Sequence, residues 1–251
     1  LRDREVVLVC TLDRPDAKLL PLLFAAGAAR QLGAVRVGLV APYLAYMRQD
    51  ARFRDGEAVT STIFASMLSS GFDWLVTLDP HLHRHRTLDE IYSIPSRVGR
   101  TAPLLADWIV ANVSAPLVIG PDVESEQWVR DVAARADVPY RVLQKERRGD
   151  RAVEISMPDL GAFADRTPVL VDDILSTGRT MIEAARVLRA GGSPPPVCVV
   201  VHALFSDRVV SALRELADAL VSTNTVPHES NGIDVSALIV EAVASVRTRS
   251  E

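Results

Sequence analysis

Two adjacent carboxylates, Asp172 and Asp173, stand just ahead of a run of hydroxyls and a glycine, Ser176-Thr177-Gly178-Arg179-Thr180. An ionised carboxylate only accepts hydrogen bonds, so it suits a group rich in O–H donors, such as the vicinal hydroxyls of a sugar. Hydroxyls, a flexible backbone and amide N–H groups at the start of a helix hold an anion instead. A sugar phosphate meets both requirements, because its neutral ring keeps the phosphate away from the carboxylates. An isolated acidic-hydroxyl turn reads more simply as a strand-to-helix connection with Asp near a helix N-terminus for dipole reasons. The whole run from Asp172 to Thr180 favours the cradle.

Three further polar clusters could add chemistry. Arg48-Gln49-Asp50 precedes Ala51-Arg52-Phe53-Arg54-Asp55-Gly56-Glu57. Alone it reads as a solvated surface loop, but a position after a strand end in an α/β fold is where ligands bind. Asp79-Pro80-His81-Leu82-His83-Arg84-His85-Arg86 follows the next strand. Its three alternating histidines with Asp79 offer zinc ligands; the charges of Arg84 and Arg86 argue against a closed cation site, so zinc is a minor reading. Residues 144–151 hold four cationic side chains, Lys145, Arg147, Arg148 and Arg151, with a glycine. They lie between two expected strands, as a solvated hairpin tip or as a flexible lid that places cations on a transferring phosphoryl group. No Gly-x-x-x-x-Gly-Lys-Ser/Thr or Gly-x-Gly-x-x-Gly run occurs, which removes the common P-loop and dinucleotide sites.

The elements that must position these residues follow from apolar periodicity. Pro168-Val169-Leu170-Val171 is a short β-branched run of the kind buried on both faces of a sheet, and residues 181–189 carry helical spacing. Earlier in the chain, residues 5–10 read as a buried strand and 16–32 as a helix that Pro21 should kink or delay. Strands at 35–40 and 74–78 and helices at 60–69 and 103–113 complete a first βα series. A second has strands at 117–119 and 140–143, a helix at 125–136, and a strand at 153–155 that could pair with 140–143. It continues through the signature strand and helix to strands at 197–203 and 219–222 and helices at 209–217 and 235–246. Such alternation predicts an α/β protein with mainly parallel sheets flanked by helices. Two series of similar size predict two lobes meeting near residues 101–115, without a Gly/Ser linker. Gly191-Gly192 followed by Pro194-Pro195-Pro196 reads as a helix stop and rigid strand entry.

Composition excludes several classes. The 251 residues are 48% hydrophobic and 24% charged, with a net charge of −4, as in a globular protein with no nucleic-acid surface. A chain of this size buries about three quarters of its unfolded surface. Each apolar run is too short or interrupted to span a bilayer, and no basic-then-apolar targeting segment opens the sequence, which predicts a cytoplasmic location without a membrane partner. Cys10 and Cys198 end apolar runs and read as small buried hydrophobes, not as a disulfide or a metal site.

From about residue 5 to residue 246 the chain resembles the ribose-phosphate diphosphokinase (phosphoribosyl diphosphate synthetase) family. The resemblance rests on Arg48-Gln49-Asp50, Asp79-Pro80-His81, Gly120-Pro121-Asp122, Lys145-Glu146-Arg147, the Asp172 to Thr180 run and Ser222-Thr223-Asn224-Thr225-Val226-Pro227, in the family's order. It implies two phosphoribosyltransferase-like lobes, 1–104 joined by the C-terminal helix 235–251, and 105–234 with the ribose 5-phosphate site. The activity implied is transfer of the diphosphoryl group of ATP to the C1 hydroxyl of ribose 5-phosphate, with Mg2+, in nucleotide biosynthesis. By the same resemblance Arg48, Gln49, Asp50 and His81 line the ATP site, and Asp122, Asp172, Asp173, Ser176, Thr177, Gly178, Arg179 and Thr180 bind ribose 5-phosphate. His81 and Asp122 serve the metal, and Lys145 and Arg147 are the catalytic pair. It further implies a homo-oligomer, a dimer or an assembly of dimers.

Two departures bear on these expectations. Glu124-Ser125 replaces the glycine pair of many relatives, which removes backbone freedom near the sugar site and adds a charge. Leu1 lies almost at the first strand, whereas relatives carry a preceding segment that contacts adenine; a protein starting there is expected to bind ribose 5-phosphate yet use ATP poorly. The rival readings are a noncatalytic, synthetase-associated regulatory subunit, and a phosphoribosyltransferase. Lys145 and Arg147 speak against the first and the motifs of the first half against the second.

Overall fold

The computed structural model describes residues 1–52, 54–148, 152–156 and 161–248, with the side chains of 145–148, 152–156 and 248 outside that description. The chain divides into two compact units, Leu1–Arg100 with Ser236–Glu251, and Thr101–Val235.

The first unit contains β1 (Glu5–Val9), α1 (Pro15–Gln31), β2 (Arg36–Ala41), α2 (Thr60–Gly71), β3 (Trp74–Leu78), β4 (Ser96–Gly99) and, from the chain end, α7 (Ser236–Thr248). Its four strands are parallel in the order β1-β2-β3-β4. Leu22 and Ala26 of α1 and Phe64 and Leu68 of α2 pack with Leu39 and Leu75 on one face of this sheet. On the other, Val40, Trp74 and Val76 meet Ala242 and Val246 of α7. A Cβ at Gly38 would lie 1.9 Å from the Trp74 ring, so glycine there makes room for the indole. The Trp74 Nε1–H then donates to Glu5 Oε1 at 2.8 Å.

Three expectations change here. The first strand is not buried on both faces: Val7 is 38% and Val9 68% exposed. Among the described residues β1 is the sheet edge, pairing with β2 alone, and the apolar side chains of α7 pack on Val40, Trp74 and Val76 of β2 and β3. Pro21 does not delay α1, which begins at Pro15, where the missing N–H has no helical acceptor to lose. The edge strand β4 escapes the sequence pattern because Ser-Arg-Val-Gly is too short and polar to show a period.

The second unit contains α3 (Ala102–Asn112), β5 (Pro116–Gly120), α4 (Glu126–Ala136), β6 (Tyr140–Val142), β7 (Gln144–Arg148), β8 (Ala152–Ser156), β9 (Thr167–Leu175), α5 (Arg179–Ala190), β10 (Val197–Ala203), α6 (Asp207–Arg214), β11 (Ala219–Thr223) and β12 (Asn231–Ile233). Six strands pair in the order β12-β11-β10-β9-β5-β6, all parallel. Val169, Val171, Val199 and Val201 pack with Ile109 of α3 and Val129 of α4. Leu170, Cys198 and Val200 pack with Ala184 and Leu188 of α5 and Leu213 of α6. Strands buried on both faces explain the unbroken apolar runs; each large aliphatic side chain so buried contributes about 1.5–3 kcal/mol.

The expected pairing of 140–143 with 153–155 is not made. Leu143 is fully buried and its N–H donates to the Gly120 carbonyl at 2.9 Å, holding this segment in the parallel sheet beside β5. β8 pairs instead with β7 in a separate antiparallel ribbon.

Candidate active site

The six-stranded sheet has one topological switch point. From β5 the chain moves outward through α4 to β6; from β9 it moves the other way through α5 to β10 and α6 to β11. Ligands of open α/β sheets bind beyond the strand C-termini at such a point, where the connections diverge and leave a crevice. The candidate sugar-phosphate residues lie at the C-terminal end of β9 or follow β5 and β9.

β9 runs further than the apolar run predicts, through Asp172 and Asp173 to Leu175. The β10 ladder holds it extended, with Val200 beside Asp172, His202 beside Ile174 and Ala203 beside Leu175, whereas the β5 ladder ends at Ile119 beside Leu170. The carboxylates are therefore on a strand and not in a turn, past the end of the neighbouring ladder. Asp172 Oδ1 accepts the Asp173 N–H at 3.0 Å, and Asp173 is 3% exposed against a half-buried Asp172.

Ser176 and Thr177 connect β9 to Gly178, which sits at φ +72° as the residue preceding α5. A Cβ on Gly178 would fall 2.4 Å from Cγ1 of Val209 in α6, so both conformation and packing call for glycine. The Gly178 carbonyl accepts the Ile182 N–H at 2.8 Å, the first bond of the helix. The preceding N–H groups, of Arg179, Thr180 and Met181, belong to the turn that has no acceptor within a helix, and the helix dipole adds partial positive charge there. This is the geometry of an anion site, with Ser176, Thr177 and Thr180 adding hydroxyls.

Asp122 follows β5. Glu124 and Ser125 form a right-handed 3-10 turn with Val123, so the position needs no glycine freedom. The Ser125 hydroxyl donates to the Asp122 carbonyl at 2.6 Å, and Asp122 Oδ1 accepts the Glu124 N–H at 3.1 Å. The departure at Glu124-Ser125 thus fastens Asp122, a role the sequence pattern does not reveal.

In the first unit, Arg48, Gln49 and Asp50 follow β2. Tyr46, at φ +62°, starts the loop and donates its hydroxyl to Asp16 Oδ1 at 2.5 Å; that bond raises the Tyr46 pKa above its usual value. The Gln49 N–H donates to the Tyr46 carbonyl and the Gln49 carbonyl accepts from Ser61 at the start of α2, each at 3.2 Å. The Asp50 carboxylate turns inward onto Arg84, 2.5 Å away.

The loop after β3 begins at Asp79, fully buried with φ +34°, whose N–H donates to the Gly99 carbonyl at 3.0 Å and whose carboxylate lies 3.5 Å from Arg100. His81 is buried, with its ring centroid 3.9 Å from that of His83. His85 Nδ1 lies 3.2 Å from Glu90 Oε2. Of the four groups of the zinc reading, Asp79 pairs with Arg100 and His85 with Glu90, while His81 and His83 lie against each other.

Lys145 and Arg147 are in strand β7, opposite Ile155 and Val153 of β8, and not at a hairpin tip. Their side chains lie outside the described residues, as does the backbone of the connecting residues 149–151. The Ser222 to Pro227 motif fastens the second unit's edge: Asn224 Nδ2 donates to Asp234 Oδ1 at 2.7 Å, Asn224 Oδ1 accepts the Val235 N–H at 2.9 Å, and Thr225 Oγ1 lies 2.9 Å from buried His202 Nδ1. No helix among the described residues is long and apolar enough to cross a membrane.

Comparison with known proteins agrees with this architecture. Residues 87–238 match the phosphoribosyl transferase domain and residues 1–71 the N-terminal domain of ribose phosphate pyrophosphokinase. The ribose-phosphate pyrophosphokinase of Methanopyrus kandleri is 35% identical over 250 residues, covering 97% of this chain and 84% of that protein. That of Saccharolobus solfataricus is 32% identical over 232 residues, covering 90% and 78%. The phosphoribosylpyrophosphate synthetase structure from Mycobacterium smegmatis shares the fold, with a TM-score of 0.82 at 23% identity over 98% of this chain and 83% of that one. An N-terminal pyrophosphokinase domain followed by a phosphoribosyl transferase domain, with relatives at this identity along nearly the whole length, makes this chain a member of the ribose-phosphate pyrophosphokinase family.

Proposed function

We propose that this enzyme transfers the β,γ-diphosphoryl group of ATP to the C1 hydroxyl of ribose 5-phosphate, giving phosphoribosyl diphosphate and AMP. The observation that carries the reading is the Asp172 to Thr180 run at the β5/β9 switch point, with Asp122 beyond the neighbouring strand. The C1 oxygen bonds to the β-phosphorus, the bond from that phosphorus to the oxygen it shares with the α-phosphate breaks, and the hydroxyl proton passes to solvent.

Asp172 and Asp173 accept hydrogen bonds from the ribose hydroxyls, and Ser176, Thr177, Gly178, Arg179 and Thr180 hold the 5-phosphate at the α5 N-terminus. Arg48, Gln49, Asp50 and His81 serve ATP. Lys145 and Arg147 stabilise charge on the transferring group, since such a reaction is catalysed mainly by positioning and cations. The donor set suits Mg2+ at Asp122, a hard oxygen ligand, better than at the His81 nitrogen, so His81 belongs to its outer shell or to a phosphate. When bound, Mg2+ supplies neutralisation of triphosphate charge.

A cytoplasmic location is part of the same proposal, since it fits these water-soluble phosphorylated substrates. Exposed Leu20 and Phe24, one turn apart on α1, and Ile63 and Met67, one turn apart on α2, support a homo-oligomer built on dimers. Incubation with ATP, Mg2+ and ribose 5-phosphate tests the reaction: AMP is expected, and only with the sugar phosphate present. Formation of ADP, or release of pyrophosphate from phosphoribosyl diphosphate and a base, would overturn it.

A further inference from the structure

We propose that Arg84 is a positioning residue for ATP, acting through Asp50 to hold the loop that carries His81 against the loop that carries Arg48 and Gln49. The inference rests on reading these two loops as the ATP side of the reaction.

Asp50 and Arg84 lie 34 residues apart, one after β2 and the other after β3, and meet at 2.5 Å. The Asp50 side chain is 2% exposed, whereas that of Arg84 is 54% exposed. A carboxylate so buried requires a cationic partner, because its desolvation is otherwise uncompensated. Without that partner, an acceptor-only group within an Arg-Gln-Asp loop would also repel the triphosphate that Arg48 attracts. Arg84 answers both needs by drawing the Asp50 carboxylate inward.

The consequence falls on His81. Its loop is fixed at one end where the Asp79 carboxylate meets Arg100 and the Asp79 N–H meets the Gly99 carbonyl. It is fixed at the other where Arg84 meets Asp50. His81 lies between these ties. The β2 loop is in turn held by Tyr46 on Asp16 and by Ser61 on the Gln49 carbonyl. The Arg84–Asp50 pair therefore joins two independently fastened loops and sets the spacing of Arg48 and Gln49 from His81. Small displacements of positioning groups have large kinetic effects, since the reacting phosphates must be held in one geometry.

The test is a double-mutant cycle on the full chain with Asp50→Asn, Arg84→Met and the pair of substitutions, read by KM for each substrate, kcat, and ATP titration. Arg84→Met should raise KM for ATP about tenfold while KM for ribose 5-phosphate stays within about twofold. The double variant, which leaves no buried charge unpaired, should fold even where Arg84→Met does not, and should bind ATP no more weakly than either single variant that folds. Multiplying effects would mean that Arg84 and Asp50 act separately and would sink the proposal. So would ATP affinity and KM unchanged in both the Arg84→Met and the double variant while the wild type binds ATP. Absence of ATP binding by the wild type would instead refute the ATP reading itself.

Discussion

The Ser125 hydroxyl donates to the Asp122 carbonyl at 2.6 Å while the Asp122 carboxylate takes the Glu124 N–H at 3.1 Å. This reciprocal cap fixes the acidic residue that follows β5. Ser125→Ala should cost about 1 kcal/mol of stability, as loss of a helix cap does, and weaken ribose 5-phosphate binding by releasing Asp122. Urea denaturation and calorimetric titration measure the two effects separately. Lowered stability with unchanged affinity would make the cap structural only.

Gly178→Ala should be severe for two additive reasons. Its φ of +72° disfavours any side chain, and the new methyl would meet Val209 at 2.4 Å. The backbone term is about 1–2 kcal/mol and the overpacking about 1–3 kcal/mol. Adding Val209→Ala should restore the packing part alone. Complete recovery of stability in that double variant would show that the left-handed backbone costs nothing here.

Asp172→Asn and Asp173→Asn should weaken ribose 5-phosphate more than ATP, because both side chains are assigned to sugar hydroxyls. Losing a charge-assisted hydrogen bond costs about 1.5–3 kcal/mol, or about 10- to 150-fold in Kd. Calorimetry with each ligand decides it; an equal loss for the two ligands removes the sugar assignment.

Lys145→Ala and Arg147→Ala should each lower turnover by about 10²- to 10³-fold, the range for removal of a preorganised transition-state donor. Both positions lie on β7 of the two-stranded ribbon, apart from the six-stranded sheet, so melting temperatures should barely change. Steady-state kinetics with turnover lowered less than about threefold in both variants would rule out a catalytic pair.

Cys198 should resist thiol reagents in the native protein. Burial pushes its pKa up to about 12, so at pH 8 about one thiol in 10⁴ is ionised, and reactivity rises with pH only as the thiolate forms. Cys10 is raised less strongly, again by burial first, and is partly exposed. A chromogenic thiol assay should therefore find at most one slow thiol in the native protein and two after unfolding. Rapid reaction of both native thiols would contradict the packing of β10.

Much of the fold could be read from the chain because its signals are local. Strands such as Pro116–Gly120, and Val197–Ala203 up to His202, are apolar runs, and Gly178 before Arg179 marks a helix start with its neighbours alone. The acidic-hydroxyl run was legible for the same reason, since its chemistry lies in consecutive residues. Partner choice was not. Whether β8 joins β6 or β7, and how far β9 continues past Val171, depends on ladders with strands far along the chain. Exposure of β1 depends on where α7 packs, more than two hundred residues later in the chain. Ser125, Arg84 and Arg100 have no motif of their own; Arg84 and Arg100 matter because folding brings each to a carboxylate that burial has deprived of water, and Ser125 because its turn brings it to the Asp122 carbonyl. Residue type and spacing thus determined which chemistry the chain carries, while long-range pairing and desolvation decided where each group points and what holds it there.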